Sequence, residues 1–178
     1  QIGRLEIGTK SEYSRDSGPT PEPAMSFVEL SAQSNFSFLT GGSHPEEYMR
    51  RSADLGLAAL AIADDNSVSG IVRAHLEARE IARDAKHATT PRLIPATKIV
   101  LSDGFGATAL PTDRAAWGRL CRLLSLGRLR APKGGCDLGM SDVLEWGAGM
   151  IWLLWPPNTL AADTAAWHDQ ARQMIAQF

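Results

Sequence analysis

The sequence has few cysteines and no long apolar run, and both shortages exclude classes of protein. Its 178 residues include only Cys121 and Cys136, neither of which lies in a CxxC pair or near a histidine at metal-ligand spacing. We therefore expect neither a disulfide scaffold nor a zinc site, and a reducing, cytoplasmic setting fits best. The longest apolar run, GAGMIWLLW at 147–155, has the length of a strand. It is too short to span a bilayer, so no membrane association is expected.

The chain also lacks a strong net charge. Its formal charge is -2, with 44% hydrophobic and 21% charged residues. This composition predicts a globular domain with a real core and no general attraction to nucleic acid or anionic lipid. Residues 1–24 differ, because they are polar and end in SGPTPEPA. We expect a flexible leader or tail there and a single domain over 25–178.

Strand and helix patterns alternate along this domain, which predicts an α/β fold. Strand-like runs at 27–32 and 57–63 are each followed by a helical pattern. Residues 92–101 and 107–110 are typical of two strands joined by a tight turn at Asp103-Gly104. A buried strand at 149–155 and a helix at 159–177 complete the pattern. Four or five strands are too few to close a barrel of eight-strand size, so we expect a truncated parallel barrel or an open sheet.

Local signals add three more detailed expectations. Thr112 is expected to cap a helix with Trp117 in its buried stripe, and residues 126–138 are expected to form a Gly- and Arg-rich loop. Asp64, Asp65 and Asn66 follow a buried strand and could bind a divalent ion weakly. The favoured interpretation is a turn at the strand end and a cap for the next helix.

Three segments together resemble one known family. They are FVELSAQSNFSFLTGG at 27–42, LAIADDNSVSG at 60–70 and PTDRAAWGRLCRLLSLG at 111–127. They resemble the amino-terminal polymerase and histidinol phosphatase (PHP) domain of bacterial C-family DNA polymerases, most closely the error-prone branch. The resemblance covers nearly everything after residue 25 and implies a PHP-type β/α barrel that is incomplete here. It also implies a cytoplasmic parent chain that uses Mg²⁺ to synthesise DNA past lesions, with DNA and replication or mutagenesis proteins as partners.

The resemblance further implies where a metal site would lie. Family members hold metal ions with histidines and carboxylates, and in this chain those positions fall on Ser31, Gln33, Asp64, Asp65 and Lys98. Only Asp64 keeps the family's residue type. An ammonium group repels a metal ion and offers no lone pair, so Lys98 argues against hydrolysis. The resemblance thus implies a fragment with no catalytic residue and no cofactor, in which Lys98 pairs with Asp64 or Asp65.

Two other functions stay open at this point. One is a metal-dependent phosphoesterase or proofreading nuclease with non-standard ligands built on Asp64 and Asp65. The other is a scaffold that docks DNA or a protein partner through a basic segment. That segment contains one acidic residue, Asp113, and six cations: Arg114, Arg119, Arg122, Arg128, Arg130 and Lys133. These cations could equally be solvated charges near a helix C-terminus. The oligomeric state is not determined by the sequence.

Overall fold

The computed structural model describes residues 27–84, 90–157 and 164–178. Strands and helices alternate as predicted: β1 (Val28–Ala32), α1 (Pro45–Asp54), β2 (Ala59–Asp65), α2 (Ser69–Arg83), β3 (Arg92–Val100), β4 (Gly106–Pro111), α3 (Arg114–Arg130), α4 (Met140–Trp146), β5 (Met150–Trp155) and α5 (Ala165–Gln177). The leader predicted at 1–24 and residues 159–163 of the predicted last helix lie outside the described residues. Within the described ranges, no helix combines the length and apolar composition needed to cross a membrane.

The five strands form one sheet in sequence order. β1, β2 and β3 are parallel, while β4 runs antiparallel to both β3 and β5, which confirms the predicted hairpin. The sheet curls strongly, because the hydroxyl oxygens of Ser31 in β1 and Thr108 in β4 are 3.4 Å apart although two strands separate them. The α/β fold with an incomplete barrel is therefore confirmed. The last strand was wrongly expected to be buried: in the described sheet β5 is an edge strand, and Ile151 is exposed.

The two faces of the sheet have different side chains, as the alternation of a strand requires. In β2, Leu60 and Ile62 pack under α1 and α2, whereas Ala61 and Ala63 belong to a small cluster on the opposite face with Ala96, Leu110 and Leu153. We call this second face the concave face. A larger cluster around Ile99, Leu120 and Leu123 packs α3, α4 and α5 against β3, β4 and β5. The helices therefore cover one face of the sheet, and a smaller apolar cluster of alanine, leucine and isoleucine side chains lies on the other.

Helix α3 differs from its predicted boundaries at both ends. Its N-cap is Asp113, whose Oδ1 accepts from the amide of Ala116 at 2.7 Å. The expected cap, Thr112, instead donates its hydroxyl hydrogen to the backbone oxygen of Gly149 at 2.7 Å. The predicted loop from Leu126 was wrong, because α3 continues to Arg130. Gly127 lies inside this helix, and its backbone oxygen accepts from the amide of Asp137 at 2.9 Å. A Cβ atom at this position would lie 2.7 Å from the Sγ of Cys136, so the missing side chain allows close packing.

Candidate functional site

The carboxyl end of β2 carries two neighbouring aspartates that face opposite ways. Asp64 follows Leu60 and Ile62 on the helix-covered face, and Asp65 follows Ala61 and Ala63 on the concave face. Asp64 is 1% exposed, whereas Asp65 is partly open to solvent. The sequence grouped these residues by adjacency, but the pleat of the strand places their carboxyl groups in two different environments.

Asp64 is held by hydrogen bonds from the segment that joins β1 to α1. Its Oδ1 accepts from the amide of Ser34 at 2.7 Å and from the hydroxyl of Ser37 at 2.8 Å. Its Oδ2 accepts from the hydroxyl of Ser34 at 2.8 Å. Ser37 also accepts from the amide of Asp65 at 3.0 Å. The buried carboxyl group of Asp64 therefore fixes the conformation of the segment that joins β1 to α1. The sequence did not indicate this role for Ser34 and Ser37, although both lie in the FVELSAQSNFSFLTGG motif.

Asp65 belongs to a polar cluster on the concave face. Its Oδ1 accepts from the side-chain amide of Gln33 at 2.7 Å and lies 3.8 Å from the ammonium nitrogen of Lys98. The expected pairing of Lys98 with one of the two aspartates is thus made with Asp65. The same nitrogen lies 4.7 Å from the ring centre of Trp155, a distance typical of a cation–π contact.

Trp155 and Thr108 complete this cluster from the antiparallel half of the sheet. The indole nitrogen of Trp155 donates to the hydroxyl oxygen of Thr108 at 2.8 Å, and that oxygen is the one near Ser31. Four of the five predicted metal-site positions therefore lie in one environment: Ser31, Gln33, Asp65 and Lys98. Trp155 had no sequence signal as a site residue, because it only becomes adjacent when β5 pairs with β4.

The expected helix cap at 64–66 was wrong. The N-cap residue of α2 is Val68, and Asn66 serves the sheet instead. The side chain of Asn66 accepts from the amide of Val100 at 3.0 Å and donates to its backbone oxygen at 2.9 Å, which extends the pairing of β2 with β3. Asn66 adopts a left-handed backbone with φ of 46°, a conformation that asparagine tolerates better than most residues. A turn does follow the strand, as expected, but the side chain of Asn66 bonds to β3 rather than to a helix.

The residues present do not fit a divalent metal ion. Within the described ranges, no group of three or more His, Cys, Asp or Glu side chains could hold one. The three hydrogen bonds to Asp64 take up most of the lone-pair directions of its carboxyl group. Near Asp65 the strongest electrostatic neighbour is the ammonium of Lys98, which repels a cation. The geometry is that of a hydrogen-bonded structural centre.

Comparison with known proteins identifies the relatives of this chain. No protein-family model matches it. It is 43% identical over 141 residues to an error-prone DNA polymerase of Rhodopseudomonas palustris (strain BisB5), a match that includes 79% of this chain. A second error-prone DNA polymerase, from Ruegeria pomeroyi, is 40% identical over 84% of this chain. The chain is a homologue of one segment of the error-prone DNA polymerases. It spans 12% of the length of the first relative and 16% of the second.

The fold of this chain is similar to those of a solved phosphoesterase and a solved amidohydrolase. A Bifidobacterium adolescentis protein described as a metal-dependent phosphoesterase has a TM-score of 0.58 and 16% identity, with 88% of this chain and 76% of that chain covered. An amidohydrolase from Chromobacterium violaceum has a TM-score of 0.54 and 15% identity, covering 84% of this chain and 74% of that one. These similarities show the fold alone, and they fit an incomplete PHP-type barrel.

The six cations of the predicted basic patch are distributed around α3 and the turn after it. At about 100° per residue, α3 cannot place Arg114, Arg119 and Arg128 on one face. Several cations also have internal partners: Arg119 and Arg128 donate to the backbone oxygens of Ala148 and Asn66, both at 2.7 Å. Arg122 lies 5.8 Å from the ring centre of Trp146. Arg114 and Lys133 are exposed. Nucleic-acid binding by this segment stays a prediction.

Arg130 forms an ion pair that makes the stability of the segment depend on pH. Its guanidinium lies 2.7 Å from the carboxyl group of Asp142, and this hydrogen bond lowers the pKa of Asp142 below its ordinary value. A lowered pKa stabilises the fold above the ordinary pKa of aspartic acid, and the stabilisation is lost as pH falls through the lowered value. We expect Arg130→Gln to flatten this acidic dependence, measured by urea unfolding at a series of pH values.

A matched variant for this measurement is Arg128→Gln, because Arg128 bonds to a backbone oxygen rather than to a carboxyl group. It removes the same charge and should keep the wild-type slope in acid. Equal slopes for Arg130→Gln and Arg128→Gln would contradict the assignment of the pH dependence to Asp142.

Proposed function

We propose that this chain is a structural module of an error-prone DNA polymerase and that its former metal site is non-catalytic. Residues 25–178 would be a partial PHP domain, preceded by a flexible leader at 1–24. The whole polymerase would synthesise DNA on a DNA template with Mg²⁺ and act in the cytoplasm with replication or mutagenesis proteins. The support for this larger role is the 43% identity to a curated error-prone DNA polymerase, of which the chain spans 12%.

One observation carries the proposal for the site itself. The ammonium of Lys98 lies 3.8 Å from Asp65 and 4.7 Å from the ring centre of Trp155, at a position that the PHP resemblance assigns to a metal ligand. The internal ammonium group supplies the positive charge that a metal ion would otherwise bring to Asp65. It cannot activate water as a metal ion does, because it has no open coordination position. The fold can therefore be retained without hydrolysis.

Metal binding by the purified chain and a Lys98→Glu variant tests this proposal. We expect the wild-type chain to retain Mn²⁺ and Zn²⁺ far below stoichiometric amounts by elemental analysis. Lys98→Glu removes the ammonium group and places a second carboxyl group beside that of Asp65, since residues 65 and 98 are paired across β2 and β3. It should gain weak Mn²⁺ binding, with a Kd on the order of 1 mM by titration calorimetry.

Lys98→Met is the control for this experiment, because it removes the positive charge without adding a ligand. It should not gain binding. One tightly held metal ion per wild-type chain, together with hydrolysis of a phosphodiester such as bis-p-nitrophenyl phosphate, would contradict the proposal. That result would favour a metal-dependent phosphoesterase or nuclease built on Asp64 and Asp65.

A further inference from the structure

The segment between β1 and α1 exposes large apolar side chains at its tip. Phe38 is 84% exposed and Leu39 is 89% exposed, and Phe36 beside them is also exposed. Isolated apolar residues on a surface are common, whereas three within four positions are a reason to look for a contact. We call residues 33–43 the apical loop.

The apical loop is rigidly built rather than loosely attached. Ser34 and Ser37 are both buried and bond to Asp64 below them. The amides of Thr40 and Gly41 donate to the backbone oxygen of Ser37 at 3.1 and 2.9 Å. The hydroxyl groups of Ser34 and Ser37 thus point inward. They hold the apolar side chains in one fixed outward arrangement.

The conformation of the loop and its lack of charge agree with a contact surface. Leu39 has a φ of 66°, a left-handed conformation that a residue with a side chain rarely adopts. Such conformations persist where the surrounding structure imposes them, and they concentrate at functional positions. Residues 33–43 include no Asp, Glu, Lys or Arg. The centres of protein interfaces are similarly poor in charged residues and rich in aromatic ones.

We propose that the apical loop docks against another domain of the same polymerase chain, with Phe38 and Leu39 as the anchors. This inference rests on the proposed function, because the occupant is the part of the polymerase outside this segment. The relatives support that occupant, since the matches cover only 12% and 16% of their lengths. The complementary surface should be a shallow apolar pocket, because two adjacent apolar side chains carry no charge to be paired.

Hydroxyl-radical footprinting read by mass spectrometry tests this docking. The oxidation rates of Phe38 and Leu39 are compared between the 178-residue chain and the full-length polymerase that carries it. We expect oxidation to be at least about fivefold slower in the full-length protein, as for side chains in a desolvated interface. Equal rates in the two proteins would overturn the proposal. Slower oxidation of the 178-residue chain at higher concentration would also overturn it, because the occupant would then be a second copy.

Matched substitutions provide an independent measurement. Phe38→Ser should leave the Tm of the 178-residue chain unchanged and should increase cleavage of the full-length polymerase at this segment in limited proteolysis. Leu129→Ser is the control, since Leu129 is 82% exposed but lies between Arg128 and Arg130. Equal protease sensitivity of the two variants would argue against docking. Primer extension by the full-length protein is scored separately, so loss of docking and failure of the polymerase assignment are distinguishable.

Discussion

Replacing Asp64 by alanine should lower the free energy of unfolding by about 3 kcal/mol, because it leaves three buried donors from Ser34 and Ser37 without an acceptor. For a domain of this size, that loss corresponds to a decrease in Tm of roughly 10 °C. Urea unfolding followed by tryptophan fluorescence measures it, since the chain has five tryptophans. The decrease in the free energy of unfolding should be the same in the presence of EDTA and of Mn²⁺, because the role assigned to Asp64 does not depend on a metal ion.

Asp65→Ala is the matched variant for this prediction. Asp65 is the next residue and carries the same charge, but it is partly exposed, and its side chain contacts those of Gln33 and Lys98. We expect its removal to cost less than about 1 kcal/mol, as for a solvent-screened pair. Similar losses for the two alanine variants would show that the burial of Asp64 is not what stabilises the fold.

Replacing Gly41 by alanine should lower the free energy of unfolding by about 2 to 3 kcal/mol, as for an overpacked core position. A Cβ atom at Gly41 would overlap the backbone oxygen of Ser34 and would lie 2.7 Å from the backbone oxygen of Gln33. Neither oxygen can shift without disrupting the hydrogen bonds that hold the apical loop, because the amide of Ser34 donates to Asp64. The variant should therefore lose stability and also weaken the contact of Gln33 with Asp65.

The adjacent glycine is the control for this second prediction. A Cβ atom at Gly42 would meet nothing within 4 Å. Gly42→Ala should leave the stability within about 0.5 kcal/mol of wild type or raise it slightly, because alanine restricts the unfolded chain. Urea unfolding of both variants separates the two cases. If Gly42→Ala lowered the free energy of unfolding as much as Gly41→Ala, the loss would come from reduced backbone freedom rather than from close packing.

Local sequence signals predicted most of the secondary structure, and they failed where tertiary contacts decide the outcome. The hairpin at Asp103-Gly104 and the strands at 59–65 and 92–100 follow from turn chemistry and apolar periodicity. The extension of α3 past Leu126 was missed, because Gly127 suggests a loop until the amide of Asp137 is found bonded to its oxygen. A local pattern includes no information on such a distant partner.

For the candidate site, the sequence named residues that the fold brings near one another, and it could not assign their partners. The resemblance placed Ser31, Gln33, Asp65 and Lys98 together, and they do share the concave face. The choice between Asp64 and Asp65 as the partner of Lys98 needed the pleat of β2, which turns successive side chains to opposite faces. Trp155 needed the pairing of β5 with β4.

The sequence by itself therefore determined the relationship to error-prone DNA polymerases and the α/β class, since these depend on residue identity and order. The tertiary structure alone decided that Asp64 is a buried acceptor for the apical loop while Asp65 faces a lysine. The physical reason is that burial and hydrogen bonding depend on which distant atoms come within about 3 Å. Two adjacent residues of the same type can then have opposite roles.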